Sequence, residues 1–208
     1  MVSEVHNIDC MEFMQSIPDQ YFDLAVVDPP YGIQRSNLGT RKRKGWKSYA
    51  PKDWDDAPPD KRYFEELFRV SQNQVIFGGN YFTLYLPPSM GWIVWNKGQK
   101  LTMSDGELAY TSFNKALRII TLNRVTIGKY GGHIHPTQKP VDLYHWIFSK
   151  YGKPEAKILD THLGSGSSRI AAYLLGLNFW GCEKDKEYFE LQETRFAEQC
   201  KMKIDFVK

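Results

Sequence analysis

The chain has 208 residues, a net charge of +3 and three cysteines. That length suits one α/β domain with a real core, and no apolar run is long enough to cross a membrane. The N-terminus lacks the apolar segment of a secreted precursor. Cys10, Cys182 and Cys200 form neither a Cys-x-x-Cys pair nor a Cys/His cluster, so a reduced, cytoplasmic protein without a metal site is expected.

Val5 to Ile8 reads as a short strand ending at Asp9, and Met11 to Ser16 as a short helix. Asp23 to Asp28 carries a continuous apolar run and reads as a buried central strand. Residues 32–58 are polar and basic, with Gly, Pro and Ser throughout, and form a long loop of the kind that is usually functional or disordered. Pro59 to Val70 has helical periodicity, with Tyr63, Phe64, Leu67 and Phe68 on one side as core packing. Gln74 to Gly79, Trp92 to Trp95 and Leu108 to Ser112 read as strands, and residues 113–135 as irregular or partly β. Val141 to Tyr151 is a predicted helix with Pro140 near its first turn. Lys157 to Asp160 is a strand, Ser167 to Leu175 a helix, Phe179 to Glu183 a strand, and Asp185 to Cys200 a long final helix. This alternation predicts an open α/β sheet of about seven strands, with ligands at the C-terminal strand ends.

Two stretches carry chemistry. Asp28-Pro29-Pro30-Tyr31 follows the central strand. Its prolines stiffen the backbone and remove two N–H donors, so a carboxylate, rigid carbonyls and an aromatic ring gather at one strand end. That set can hold a flat base bearing an exocyclic amine; it also suits an ordinary strand-to-loop turn. The second stretch, Asp160-Thr161-His162-Leu163-Gly164-Ser165-Gly166, joins a strand to a helix whose N-terminus offers free N–H groups. Glu183 ends the next strand about 20 residues later, the spacing of a ribose-binding acid in nucleotide folds. The glycines lack the Gly-x-Gly-x-x-Gly pattern and no Walker lysine follows, which favours an adenosine cofactor without a pyrophosphate over a phosphate cradle. Gly-Ser-Gly serves equally well as a tight turn, and Glu183 as a helix-capping residue.

Charge is unevenly spread. No acid lies between Asp28 and Asp53, where Arg35, Arg41, Lys42, Arg43, Lys44 and Lys47 occur beside Trp46 and Tyr49. None lies between Glu107 and Asp142, where Lys115, Arg118, Arg124, Lys129 and Lys139 occur. Two such segments predict a polyanion on one face, with Arg35, Arg41, Lys42, Arg43, Lys44, Lys47, Arg118 and Arg124 as nucleic-acid contacts.

Taken together, Asp28-Pro29-Pro30-Tyr31, then His135-Pro136-Thr137-Gln138-Lys139-Pro140, then the Asp160 to Gly166 turn resemble the S-adenosylmethionine-dependent amino-methyltransferases of DNA. Their order resembles the β group, a circular permutation with the catalytic half first. Gly78-Gly79-Asn80-Tyr81, Gly91-Trp92-Ile93-Val94-Trp95 and Glu107-Leu108-Ala109-Tyr110-Thr111-Ser112 are similar to further segments of that group. The likeness implies one catalytic domain over residues 1–208 with a Rossmann-like methyltransferase fold, a mostly parallel sheet and helices on both faces. It departs from the family in two places. The glycine turn more often begins Asp-Pro-Phe, and residues 113–134, where target recognition would lie, are few.

The resemblance also implies roles. Asp28, Pro29, Pro30 and Tyr31 would be catalytic, with Asp28 and the Pro29 carbonyl accepting the amine and Tyr31 stacking on a base flipped from the duplex. Asp160, Gly164, Ser165 and Gly166 would border the methionine part of S-adenosylmethionine beside Asp28. Glu183, next to Lys184, would hold its ribose, and Asp9 with Cys10 its adenine. His135, Thr137 and Lys139 would lie near its carboxylate, with Lys139 as counter-charge. Asn80 and Tyr81 would line the pocket, while His6, His133, His145 and His162 would be structural. The expected substrate is adenine N6 in double-stranded DNA, because in this family Asp before the two prolines goes mostly with adenine and Ser more often with cytosine N4. Cytosine N4, RNA and a protein amide are the alternatives, and a homodimer is left open.

Overall fold

The computed structural model describes residues 1–34, 52, 54–99 and 104–201. Among these residues eight strands form one sheet: β1 (Ser3–His6), β2 (Leu24–Val27), β3 (Gln74–Phe77), β4 (Trp92–Asn96), β5 (Gly106–Thr111), β6 (Arg118–Thr121), β7 (Lys157–Asp160) and β8 (Asn178–Cys182). Their order is β1-β8-β7-β2-β3-β5-β4-β6. All neighbours pair in parallel except β5, which runs antiparallel to β3 and β4. Among the described residues five helices accompany the sheet: α1 (Cys10–Gln15), α2 (Lys61–Val70), α3 (Val141–Tyr151), α4 (Ser167–Leu174) and α5 (Lys186–Phe196), the last running on into a π turn over Ala197–Lys201.

β2 is apolar at every position, and β3 at all but Gln74, because both faces are covered. In β2, Leu24 and Val26 enter one core while Ala25 and Val27 enter the other. In β3, Val75 and Phe77 part from Ile76 in the same way. This two-residue alternation places Ile147 and Phe148 of α3, with Ile170 and Ala171 of α4, on one face. Phe13 of α1 and Tyr63, Phe64 and Leu67 of α2 lie on the other. Phe68 only packs against that second core, and the other three apolar residues expected of α2 are buried in it. Asp60 starts α2 by accepting from the amides of Arg62 and Tyr63.

Two elements differ from expectation, and a third, expected as irregular or partly β, is resolved. The first strand lies two residues earlier, because Ser3–His6 pairs in register with Phe179–Cys182 of β8. The segment 113–135 contains a true strand, β6, beside β4. Only four residues long, with exposed Arg118 and Ile119 at the sheet edge, it lacks the apolar signature of a central strand. The final helix loses α geometry after Phe196. Among the described residues no helix is long and apolar enough to cross a membrane.

What positions the site is the reversal between β2 and β7, which pair through Leu24↔Ile158 and Ala25↔Leu159. From β2 the chain passes through α2 to β3 on one side; from β7 it passes through α4 to β8 on the other, with the two helices on opposite faces. Loops leaving two such strands diverge and leave a crevice at their C-terminal ends.

Candidate active site

Two adjoining cavities occupy that edge. The first, of about 340 Å³, is walled by Asp28–Tyr31, the Gly78–Tyr81 turn, and the ends of β4 and β5. The second, of about 550 Å³, lies over the ends of β1, β7 and β8. Asp28, Pro30, Trp54, Thr137, Gln138 and Lys139 line both, so the Asp28 carboxylate stands where they meet.

Asp28 is fully engaged. Its Oδ1 accepts from the Tyr31 hydroxyl at 2.6 Å, and its Oδ2 from the Lys139 ammonium. Lys139 is buried and reaches a second carboxylate, Glu107 Oε2, at 3.3 Å; Glu107 Oε1 is in turn 2.9 Å from Lys97 Nζ. The result is a buried row of alternating charge, Asp28–Lys139–Glu107–Lys97. Burial pushes the Asp28 carboxyl above its usual range, with Lys139 opposing. Burial pulls Lys139 down, but the two carboxylates outweigh it and keep the ammonium charged above its ordinary range. Burial likewise lifts Glu107, and Lys139 and Lys97 more than reverse it.

The Tyr31 ring is set from three sides. Gly78, at φ +69°, has no room for a side chain: a Cβ there would come 2.2 Å from Tyr31 Cε1. Tyr81 stacks on the ring at 4.9 Å and 15°. Asp55 Oδ1 accepts from the amides of Tyr31 at 2.8 Å and Gly32 at 2.9 Å. The end of the long loop is thereby tied to the motif.

In the second cavity, Glu183 closes the glycine turn. Its Oε2 accepts from the Gly164 amide at 2.8 Å and its Oε1 from the Asp185 amide at 2.9 Å, while burial raises its carboxyl above the usual range. Asp9 caps α1 through the Met11 amide and meets Lys184 Nζ at 3.1 Å. Burial would lift its carboxyl, and those partners hold it below the usual range. Cys10 is a neutral thiol, pushed up to about 12 by burial. Burial and then the Lys139 charge hold the His135 imidazole down at about 3, so it is neutral. Its Nδ1 lies 3.1 Å from the Thr137 hydroxyl, and its ring packs edge-on to Tyr188 at 4.3 Å and near Trp54 at 5.2 Å.

Ten of the twelve residues expected to bind the cofactor line this cavity. Asp160 and Gly166 do not. Asp160 is buried beneath the turn, where its oxygens accept from the His162 amide at 3.0 Å and the Ser168 hydroxyl at 2.5 Å, and burial lifts its carboxyl to about 7. Gly166 caps α4 at φ +70° and packs on Gln192. Both shape the turn from behind. Lys139 also departs from expectation, because its ammonium is committed to Asp28 and Glu107. Arg118 opens β6 at the sheet end remote from both cavities, since β6 runs parallel to β4 and pairs Arg118 with Ile93, four residues before Lys97. Arg124 begins a 3₁₀ turn, and its side chain lies outside the described residues, as do Arg35, Arg41, Lys42, Arg43, Lys44 and Lys47.

Several site residues escaped the sequence reading. Lys97 directly follows β4, and Glu107 lies in β5 within the family-like segment 107–112, but no role was read for either side chain. Trp54, Asp55 and Tyr188 come from a loop and a helix face without local pattern. Arg195 is buried in α5 and donates to the Ser165 and Tyr130 carbonyls, each at 2.7 Å, fastening the glycine turn to the 3₁₀ segment.

Comparison with known proteins gives consistent results. The family model described as DNA methylase, for N6 and N4 methyltransferases, matches residues 87–194. The Type II methyltransferase M.HinfI of Haemophilus influenzae is 24% identical over 241 residues, covering 91% of this chain and 67% of its own. The M1.HpyAVI–SAM complex superposes with a TM-score of 0.64 at 20% identity, covering 94% of this chain and 100% of that one. The cytosine-N4-specific PvuII DNA methyltransferase superposes at 0.64 with 14% identity, covering 94% and 86%.

Proposed function

This chain belongs to the DNA methylase family of S-adenosylmethionine-dependent amino-methyltransferases, and from its site we infer that it methylates the exocyclic N6 amine of adenine in DNA. The observation that carries the inference is Asp28 at the junction of the two cavities, reachable from a base on one side and from the cofactor on the other.

The second cavity fits S-adenosylmethionine by the chemistry of its walls. Glu183 and Asp9 present carboxylate oxygens suited to ribose hydroxyls and an adenine amine, beside the Cys10 thiol and Lys184. Ser165 and Thr137 offer hydroxyls, Gly164 leaves the backbone open, and His135, Tyr188 and Trp54 give apolar ring faces. When bound, the cofactor supplies an electrophilic methyl group on a sulfonium.

The chain's own residues then prepare the amine. An aromatic amine is a poor nucleophile because its lone pair is delocalised into the ring. Asp28 and the Pro29 carbonyl can accept its two N–H bonds, which favours a pyramidal nitrogen. Positive charge that develops on that nitrogen lies beside the Asp28 carboxylate, an interaction stronger in the transition state than in the ground state. Asp28 acts through its charge and need take a proton only after the nitrogen has been alkylated. Tyr31, fixed by Gly78 and Asp28, offers a ring to a flipped base. A base on the face now covered by Tyr81 takes the place of that half-exposed ring. The walls of the first cavity would hold the base in line with the methyl group.

Arg41 to Lys47 would contact phosphates, which hold the duplex without choosing sequence. Adenine is preferred because aspartate precedes the prolines. The fold itself does not choose, since the PvuII enzyme shares it. Incubation with tritiated S-adenosylmethionine tests the reading: label should enter DNA, while entry into RNA or protein instead would overturn it.

A further inference from the structure

We propose that Glu107 is a positioning residue that takes the Lys139 ammonium over from Asp28 when the target amine binds, a proposal that rests on the transfer reaction inferred above. Both Asp28 oxygens are occupied, Oδ1 by the Tyr31 hydroxyl and Oδ2 by Lys139. Each oxygen can still accept a second hydrogen bond, but the Lys139 ammonium lies directly on the carboxylate and offsets the negative charge that the amine needs as it becomes positive. Lys139 is only 4% exposed, so its ammonium is held away from bulk water. A buried ammonium without a counter-charge is costly. The acceptor in reach is Glu107 Oε2, at 3.3 Å, buried and without an aligned hydrogen-bond donor among the described residues.

Glu107 is built to wait there. It stands on β5 opposite Trp95 of β4, and Lys97 holds its far oxygen at 2.9 Å. The near oxygen is thus presented to Lys139 at a fixed place. When the ammonium shifts from Asp28 to Glu107, no proton moves and the summed charge of the row stays the same. Asp28 keeps its negative charge and gains a free oxygen facing the amine. The exchange separates two duties that the pair Asp28–Lys139 could not perform together: storing a buried carboxylate before substrate arrives, and exposing it afterwards.

The test uses Glu107→Gln, which keeps the shape but removes the charge, and Glu107→Asp, which keeps the charge but draws the oxygen back. Single-turnover methyl transfer to DNA is measured against pH at saturating cofactor, with cofactor affinity and melting temperature as controls. The Asp28 carboxyl is titrated by ¹³C NMR in the protein alone. The groups facing Asp28 are Tyr31 on its own turn, Lys139 ahead of α3, Tyr144 on α3, Asp160 ending β7 and Glu107 on β5. Only Glu107 changes between the variants. We expect E107Q to lose about 10- to 100-fold in transfer rate, with cofactor affinity kept and the Asp28 titration moved to lower pH. E107D should recover part of the rate. An active wild type whose rate and Asp28 titration are both matched by E107Q would overturn the exchange. A wild type that transfers no methyl to DNA would overturn the transfer reading instead, whatever the titration shows.

Discussion

Gly78→Ala probes how the fold sets the Tyr31 ring, the proposed platform for the base. The new methyl group would sit 2.2 Å from Tyr31 Cε1 and 2.6 Å from Cζ, well inside van der Waals contact. The ring cannot simply retreat, because Asp28 holds its hydroxyl at 2.6 Å, Tyr81 covers one face at 4.9 Å and Phe82 meets it at 6.0 Å. Alanine at φ +69° costs about 1–2 kcal/mol in backbone strain. Overpacking adds about 1–3 kcal/mol, so the total is roughly 2–5 kcal/mol. For a chain of this size that corresponds to a fall in melting temperature of about 5–20 °C. Circular dichroism melting measures the cost, calorimetry the cofactor affinity and single-turnover assays the transfer. Gly78 lines the first cavity and not the second. Transfer should therefore fall by at least about 100-fold while cofactor affinity stays within about threefold. A Gly78→Ala protein that keeps both its melting temperature and its activity would show that Tyr31 is not held as argued.

Other consequences can be checked directly. Asp28→Ala should abolish transfer and leave cofactor binding largely intact, whereas Glu183→Ala, which frees the Gly164 amide, should weaken cofactor binding about 10- to 100-fold; equal losses of affinity in the two variants would refute this division. Burial holds His135 at about 3 and His162 at about 4, below the ordinary 6.5. Between pH 6.5 and 4 the unfolded chain takes up protons that the folded chain refuses. Each histidine then lowers stability by about 2 kcal/mol at pH 4.5 relative to pH 7. Asp160 titrates in the opposite sense, because burial lifts it to about 7. The histidine part is therefore read as the difference between wild type and His135→Asn in urea unfolding. Parallel acid limbs for the two proteins would contradict it.

The sheet was legible where two-sided burial writes itself into composition. Leu24–Val27 and, after Gln74, the rest of β3 are apolar because helices cover both faces, and the run shows without an alignment. Residues 113–135 were legible only as partly β, with β6 undelimited, because a four-residue edge strand needs only one buried side chain, here Ile120. Much of the candidate site was legible too, since Asp28, Gly164 and Glu183 stand at strand ends, where a chain-order argument can place them. What sequence could not show was how the charges pair. Nothing local says that Lys139 meets Asp28, 111 residues away, or that Glu107 stands beside them. Those partnerships exist only once β2, β5 and the segment before α3 share one edge. Asp160 misled for a related reason: adjacency to a glycine turn does not reveal which side of the turn a carboxylate faces.

The most direct test of the central claim is the chemical identity of the product. DNA incubated with the protein and S-adenosylmethionine, digested to nucleosides and read by mass spectrometry, should contain N6-methyladenine, and DNA incubated with the Asp28→Ala variant should not. N4-methylcytosine in its place would contradict the choice of base. Unmodified nucleosides from DNA treated with folded, cofactor-binding protein would contradict the function itself.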